Sequence, residues 1–204
     1  MKKILKLLFL ILVLVIIMFG IVSFRKIIII NKLNKFAEET NADFKNEFSM
    51  KIINSSFEFD NFTTVESVVK NGGAKIIETN LDKETENKII TTTYYLDDKA
   101  TRIIEMNDNK IYSIEEEKNF PKLNVYKRDI KDVSSIEIQK SKLKYIDVYI
   151  ISDKEKVYFV NSRNGLILKE IDLLNNVTHE YTYQLGNIKE EIELPDLTGL
   201  EYIK

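Results

Sequence analysis

The chain has 204 residues, a formal charge of −2, 44% hydrophobic and 30% charged residues, and no cysteine. That balance belongs to a folded chain with room for one membrane segment and one domain. The missing cysteine excludes disulfides, thiolate metal sites, cysteine nucleophiles and a lipid-modified N-terminal cysteine. Acids and bases are interspersed without a basic stripe, so nucleic-acid binding has no electrostatic footprint.

Lys2, Lys3 and Lys6 precede an unbroken charge-free run from Leu7 to Phe24. Eighteen residues at about 1.5 Å each give roughly 27 Å, close to the hydrocarbon thickness of a bilayer. The run exceeds the usual core of a cleaved signal peptide, and no small-x-small cleavage site follows it, only "FGIVSFRK". Residues 1–25 are therefore expected to be a transmembrane signal anchor, with a cleaved signal peptide as the alternative. Arg25, Lys26, Lys32 and Lys35 follow the span, so the count of flanking cations does not decide orientation. The short basic N-terminus has the layout of a signal anchor, which puts the rest of the chain outside the cytoplasm.

Residues 26–40 keep apolar side chains at Ile29, Ile30, Leu33 and Phe36–Ala37, a helical period, and are expected to form a stalk or a packing helix. The pattern over 41–204 is mostly strand-like. "FTTVESVVKNGG" fits a helix with a Thr63–Glu66 capping box or, better by its β-branched content, a strand turning at Asn71-Gly72-Gly73. Strands are expected in "AKIIETNLD", "NKIITTTYYLDD" and "ATRIIEM", with a turn at Asn107–Asn109 before "KIYSIEEE". The stretch from Phe120 to Leu143 contains Pro121 and is expected to be irregular, with a short helix or a covering loop.

"KYIDVYIIS", "KVYFVN", "LILKEIDLL" and "VTHEYTYQL" are four strands with short connections. Such connections permit only antiparallel neighbours, so the segment is expected to be a meander, followed by an irregular tail. Val177, His179, Tyr181, Tyr183 and Leu185 share one face of the last strand. Tyr145, Asp147, Tyr149 and Ile151 share a face of the first, and Val157 and Phe159 oppose Tyr158 and Val160. Both faces are partly apolar, as in a curved sheet covered by a helix or one with a groove for an apolar ligand or partner. The expected class is α+β, mainly antiparallel β. Tyr145, Tyr149, Phe159, His179, Tyr181 and Tyr183 are the ligand- or partner-facing candidates.

Chemistry is thinly represented. His179 is the sole histidine and sits among apolar neighbours, the setting of a packed residue; a metal site would need further nitrogen or sulfur ligands. Ser113, Ser152 and Ser162 lack a nucleophile-elbow motif. The carboxylate runs Asp97-Asp98, Glu115–Glu117 and Glu190-Glu191 have no calcium-loop spacing and read as solvated strand ends. No glycine-rich phosphate loop occurs, so no nucleotide is expected. The reading is of a non-enzymatic domain without a cofactor.

The segments "NSRNGLILKEIDL" and "VTHEYTYQLGNIKEEIELPDL" resemble the end of the LolA-like, or RseB-like, superfamily. "DDKATRIIEMNDNKIYSIEEE" is similar to an earlier hairpin of that group. The resemblance covers about residues 87–204. Ile167 stands where proline would be expected, and the lipoprotein members' cysteine is missing. It implies an unclosed, curved half-barrel whose helices plug the concave side and leave an apolar cavity. It further implies a carrier or sensor of lipid or lipoprotein. The alternative it implies is a protein-binding regulator of a cell-envelope enzyme, such as the cell-wall amidase partnered by related spore-germination lipoproteins, or of envelope signalling.

Overall fold

A computed structural model of the chain describes residues 2–56, 62–81, 87–97, 99–106, 109–116 and 120–203. Asn107 and Asp108 of the expected turn lie outside the described residues, as do Asp98 and Glu117 of the carboxylate runs.

One helix, α1 (Lys2–Phe44), carries the whole N-terminal region. Its most apolar window has a mean hydropathy of 3.3 and is unburied throughout, which makes it a candidate membrane span by length and composition. Farther along, Ile30, Leu33, Ala37 and Thr40 are buried, spaced at three and four residues as one helical face requires. The helix passes from apolar all round to amphipathic without a break, and no proline interrupts it.

The remaining chain forms a twelve-stranded sheet. Its strands are β1 (Glu47–Ser56), β2 (Phe62–Lys70), β3 (Gly73–Leu81), β4 (Lys88–Leu96), β5 (Lys99–Met106), β6 (Asn109–Glu116), β7 (Glu137–Leu143), β8 (Ile146–Ser152), β9 (Lys156–Asn161), β10 (Ile167–Asp172), β11 (Val177–Leu185) and β12 (Glu201–Tyr202). The order is β12-β6-β5-β4-β3-β2-β1-β11-β10-β9-β8-β7. The sheet is open, and every pairing is antiparallel except the parallel contact of β12 with β6. Two meanders, β1–β6 and β7–β11, meet where β1 pairs with β11 from Phe48↔Leu185 to Ser56↔Val177. The α+β class and its mainly antiparallel sheet are as the sequence indicates. "FTTVESVVK" is a strand, turned through Asn71 and Gly72 at φ of 52° and 82°, the left-handed pair that a tight hairpin needs.

Three local expectations are corrected. Residues 137–143, expected to be irregular, form β7, an edge strand whose only large apolar residues are Ile138 and Leu143. Tyr145, expected within a strand, is in the β7–β8 turn after Lys144 at φ 56° and is 99% exposed. The C-terminal tail does not simply trail away. It straps the sheet face opposite α1: Ile188 is buried, its amide donates to Glu47 Oε1 at 2.9 Å, and Lys75 pairs with Glu190 at 2.8 Å. The tail ends as β12 on β6, with Tyr202 against Tyr112.

The inner half of α1 covers the other face. Ile30 and Leu33 pack with Tyr126, Val133, Ile136, Tyr149, Ile151, Val160 and Ile167 in one cluster. A second cluster gathers Phe48, Met50, Val69, Ala74, Tyr95, Leu123 and Leu166. Tyr181 touches both. Polar contacts fix the helix along its length. Lys26 Nζ donates to the Ile136 carbonyl (2.6 Å), and Asn34 donates to Arg128 O (2.8 Å) while accepting from its amide (3.1 Å). Thr40 donates to Asn164 O at 2.8 Å.

The closest approach is at Gly165, φ 72°, where a Cβ would lie 3.0 Å from Ala37 N and 3.1 Å from Leu33 O. Both the backbone angle and the contact need glycine. Gly165→Ala is expected to cost roughly 2–4 kcal/mol by combining left-handed strain with overpacking. Urea unfolding measures it, and an unchanged midpoint would mean that α1 is not seated on this turn.

Candidate functional site

The six sequence candidates do not converge on one site. Register puts Tyr149, His179, Tyr181 and Tyr183 on the face that α1 covers: Tyr149 pairs with the buried Val160, and Met50, Ile52 and Asn54 stand beside Tyr183, Tyr181 and His179. Phe159 pairs with Ile150 and Lys169 and points to the opposite face. Tyr145 stands at the hairpin tip.

On the covered face the aromatic row is tied down. His179 Nδ1 lies 2.6 Å from Asn54 Oδ1 on the neighbouring strand. Tyr181 and Tyr183 are stacked with centroids 6.3 Å apart. The Tyr183 hydroxyl donates to both Asn124 O (3.1 Å) and Ile167 O (2.8 Å), which anchors β10 and the covering segment to β11. Burial pushes the Tyr181 phenol well above its usual value, with the Glu170 carboxylate adding to the shift; burial does the same to Tyr183. Such phenols stay neutral and serve as packing and hydrogen-bonding groups.

Sequence reasoning missed the polar residues threaded through this face. Glu170 is 9% exposed on β10 and is paired at 2.7 Å with Lys156 of β9. Strand alternation gives no signal for it: positions 167 and 170 have opposite parity in "LILKEID", and only the register shift between Ile167 and Lys169 brings Glu170 to this face. Arg128 donates to Asp153 at 2.9 Å and to Ser135 Oγ at 3.3 Å. Burial tends to raise the Asp153 carboxyl, but hydrogen bonds from Arg128 and from the Glu155 and Lys156 amides outweigh it and hold it below its ordinary value. A cavity of about 270 Å³ lies among Tyr126, Arg128, Lys156, Tyr158 and Glu170. Among the described residues, no three histidine or carboxylate side chains gather as a metal site would require.

A larger opening follows from the topology. β10 pairs with β11 only from Lys169↔Glu180 to Asp172↔Val177, and its register shifts between Ile167 and Lys169. Beyond that point the two strands part, leaving a recess of about 460 Å³ lined by Ile53, Leu143, Ile146, Leu166, Leu168 and Tyr183 among others. Beside it, on the face away from α1, Phe159, Ile150 and Val157 are half-buried.

The fold is that of an open-sheet α+β domain with a long apolar N-terminal helix. No protein-family model matches the sequence. No curated protein matches it. A solved structure of MucB in complex with MucA(peri) is similar, with a TM-score of 0.35 and 9% sequence identity. The match covers 81% of this chain and 60% of that one, so the chain spans less than two thirds of that protein. A similarity of that size assigns no partner, ligand or residue role here.

Tyr183→Phe removes the hydroxyl from the Ile167 carbonyl, while the Asn124 carbonyl keeps the Ile167 amide as donor, and is expected to cost about 1–3 kcal/mol. The raised phenol pKa values also set an alkaline limit. Below about pH 10 both states hold the phenolic protons; above it the unfolded chain releases them while the folded chain keeps them, so stability falls as pH rises. Urea midpoints measured from pH 8 to pH 11 should fall less steeply in Tyr183→Phe than in the parent. Equal slopes would place Tyr183 in water.

Proposed function

We propose that the protein is a membrane-anchored, extracytoplasmic, non-enzymatic domain that docks a partner protein at the membrane surface. The observation that carries this reading is the packing of the α1-covered face, where the cavity of about 270 Å³ is lined by the charged Arg128, Lys156 and Glu170 and the apolar centre is closed. Ile30, Leu33, Phe48, Val160 and Ile151 are fully enclosed there, where a lipid carrier would need a hollow. On the other face the apolar side chains of Phe159 and Ile150 are only half-buried, and they suit a partner's side chains better than a free acyl chain. The alternative occupant, an apolar lipid- or lipoprotein-like ligand, is supported by the recess between β10 and β11, whose size and mixed lining are those of a small-molecule site.

Photo-crosslinking separates these. With a benzophenone side chain in place of Phe159 or Leu168, the full chain in its own membrane should give one discrete protein adduct. Lipid adducts alone would favour the carrier, and no adduct at either position would overturn both. Sidedness has its own test, made clean by the absence of cysteine. In intact cells Tyr145→Cys should react with a membrane-impermeant maleimide before lysis; labelling only after lysis would place the domain inside.

A further inference from the structure

We infer that the β10–β11 hairpin tip, Leu173–Leu174, is a second membrane contact that dips into the lipid interface and sets the domain's orientation on the bilayer. The inference rests on the anchored reading of α1.

The contacts along α1 give the domain two distinct ends. At the end where the apolar run emerges, Lys26 Nζ donates to Ile136 O. Ile136 leads into β7, whose Glu137 pairs with Ser152, and the next residue, Asp153, donates its amide to Lys156 O at 3.0 Å. The Leu173 amide donates to Glu155 O at 2.8 Å, so the β8–β9 and β10–β11 turns are joined at this same end. At the other end of the strands the helix reaches Asn164 through Thr40, and Phe44 lies against Gly186. Tyr145, after Leu143↔Ile146, also lies at that far end.

The tip is apolar where a turn is normally polar. Asp172 folds it by accepting from the amides of Leu174 (3.0 Å) and Asn175 (2.9 Å), and Asn176 closes it at φ 52°. The turn is therefore built without help from the leucines. Leu173 is 49% and Leu174 69% exposed, with neither in the core clusters. A single exposed leucine needs no explanation, but two adjacent ones at the end from which a membrane helix departs form an apolar tip facing lipid. Phe24 and Arg25 end the charge-free run within two residues of Lys26. At about 1.5 Å rise per residue, the hydrocarbon boundary at Phe24 then lies only a few ångströms from the level of Lys26 and Ile136. A loop at that level meets the headgroup boundary, where leucine leaves water for acyl chains.

The test uses three full-length single-cysteine variants, Leu174→Cys, Tyr145→Cys and Val15→Cys, each carrying an environment-sensitive dye. They are reconstituted into vesicles of phosphatidylcholine and phosphatidylglycerol, with or without nitroxide-labelled lipid. The dye on Leu174→Cys should emit to the blue of that on Tyr145→Cys and be quenched several-fold more by shallow nitroxides, while the dye on Val15→Cys is quenched by deep ones. A Leu174→Cys dye as wet as the Tyr145→Cys dye, with Val15→Cys still quenched, overturns the tip contact and leaves the anchor standing. An unquenched Val15→Cys dye removes the anchor, and the inference with it. Leu174 is exposed in a turn held by other residues, so its replacement should leave the urea midpoint unchanged.

Discussion

α1 changes its surroundings halfway along, and the domain is organised by that change. From Leu7 to Phe24 its surface is apolar in every direction; from Ile30 onward its buried residues Ile30, Leu33 and Ala37 form one stripe, and the stripe lies on the sheet. Each fully buried isoleucine or leucine in that stripe contributes about 1.5–3 kcal/mol, so Ile30 and Leu33 alone hold much of what a marginally stable domain can spare. Because the helix is unbroken, its packing transmits the direction of the apolar run to the sheet. The sheet's distance and tilt relative to anything the run is embedded in are fixed by side-chain contacts.

The same helix explains why two meanders become one sheet. β1–β6 is formed of sequential hairpins, as is β7–β11, yet the join between them pairs residues more than a hundred positions apart. Loop closure over such a distance costs entropy that the β1–β11 ladder has to offset. β1 begins three residues after α1 ends, so once the helix lies on β8, β9 and the Gly165 turn, β1 is already delivered beside β11. Tyr181, opposite Ile52 in that ladder, then packs against both core clusters, and Ile52 against the second.

Legibility in the sequence followed the range of the interaction. The apolar span, the Asn71-Gly72 hairpin and the alternation of Val177 to Leu185 are local patterns, and each is read within a dozen residues. β7 was hidden because an edge strand buries little: "EIQKSKL" carries lysines at 140 and 142, which protect an open edge and weaken its alternation. The Lys144-Tyr145 turn lacks the glycine or asparagine that marks a tight hairpin, so the strand reading ran through it. Parity along β8 and β9 correctly separates Phe159 from Tyr158 and Val160, but no parity states which face a helix will cover. The six candidates therefore divide between a packed interior, an open face and an exposed tip. Tyr183's two carbonyl partners and the Glu170–Lys156 pair are non-local, and no nearby residue announces them.

The uncovered face gains meaning from its other half. Over β1 to β3 the tail crosses the surface opposite α1, holding Lys75 with Glu190 and burying Ile188. The strap moves away toward β6 and does not extend over β8 and β9, where Ile150, Val157 and Phe159 remain half-buried. A sheet that needed only solubility would place lysine and glutamate there, as β1 and β2 do with the exposed pair Lys51–Glu66. Keeping isoleucine, valine and phenylalanine on that side costs solubility without adding to either core cluster. The cost is physically reasonable if another surface covers these side chains in the working state. The splayed mouth between β10 and β11 borders the same patch, so a partner seated on Phe159 would also close the recess.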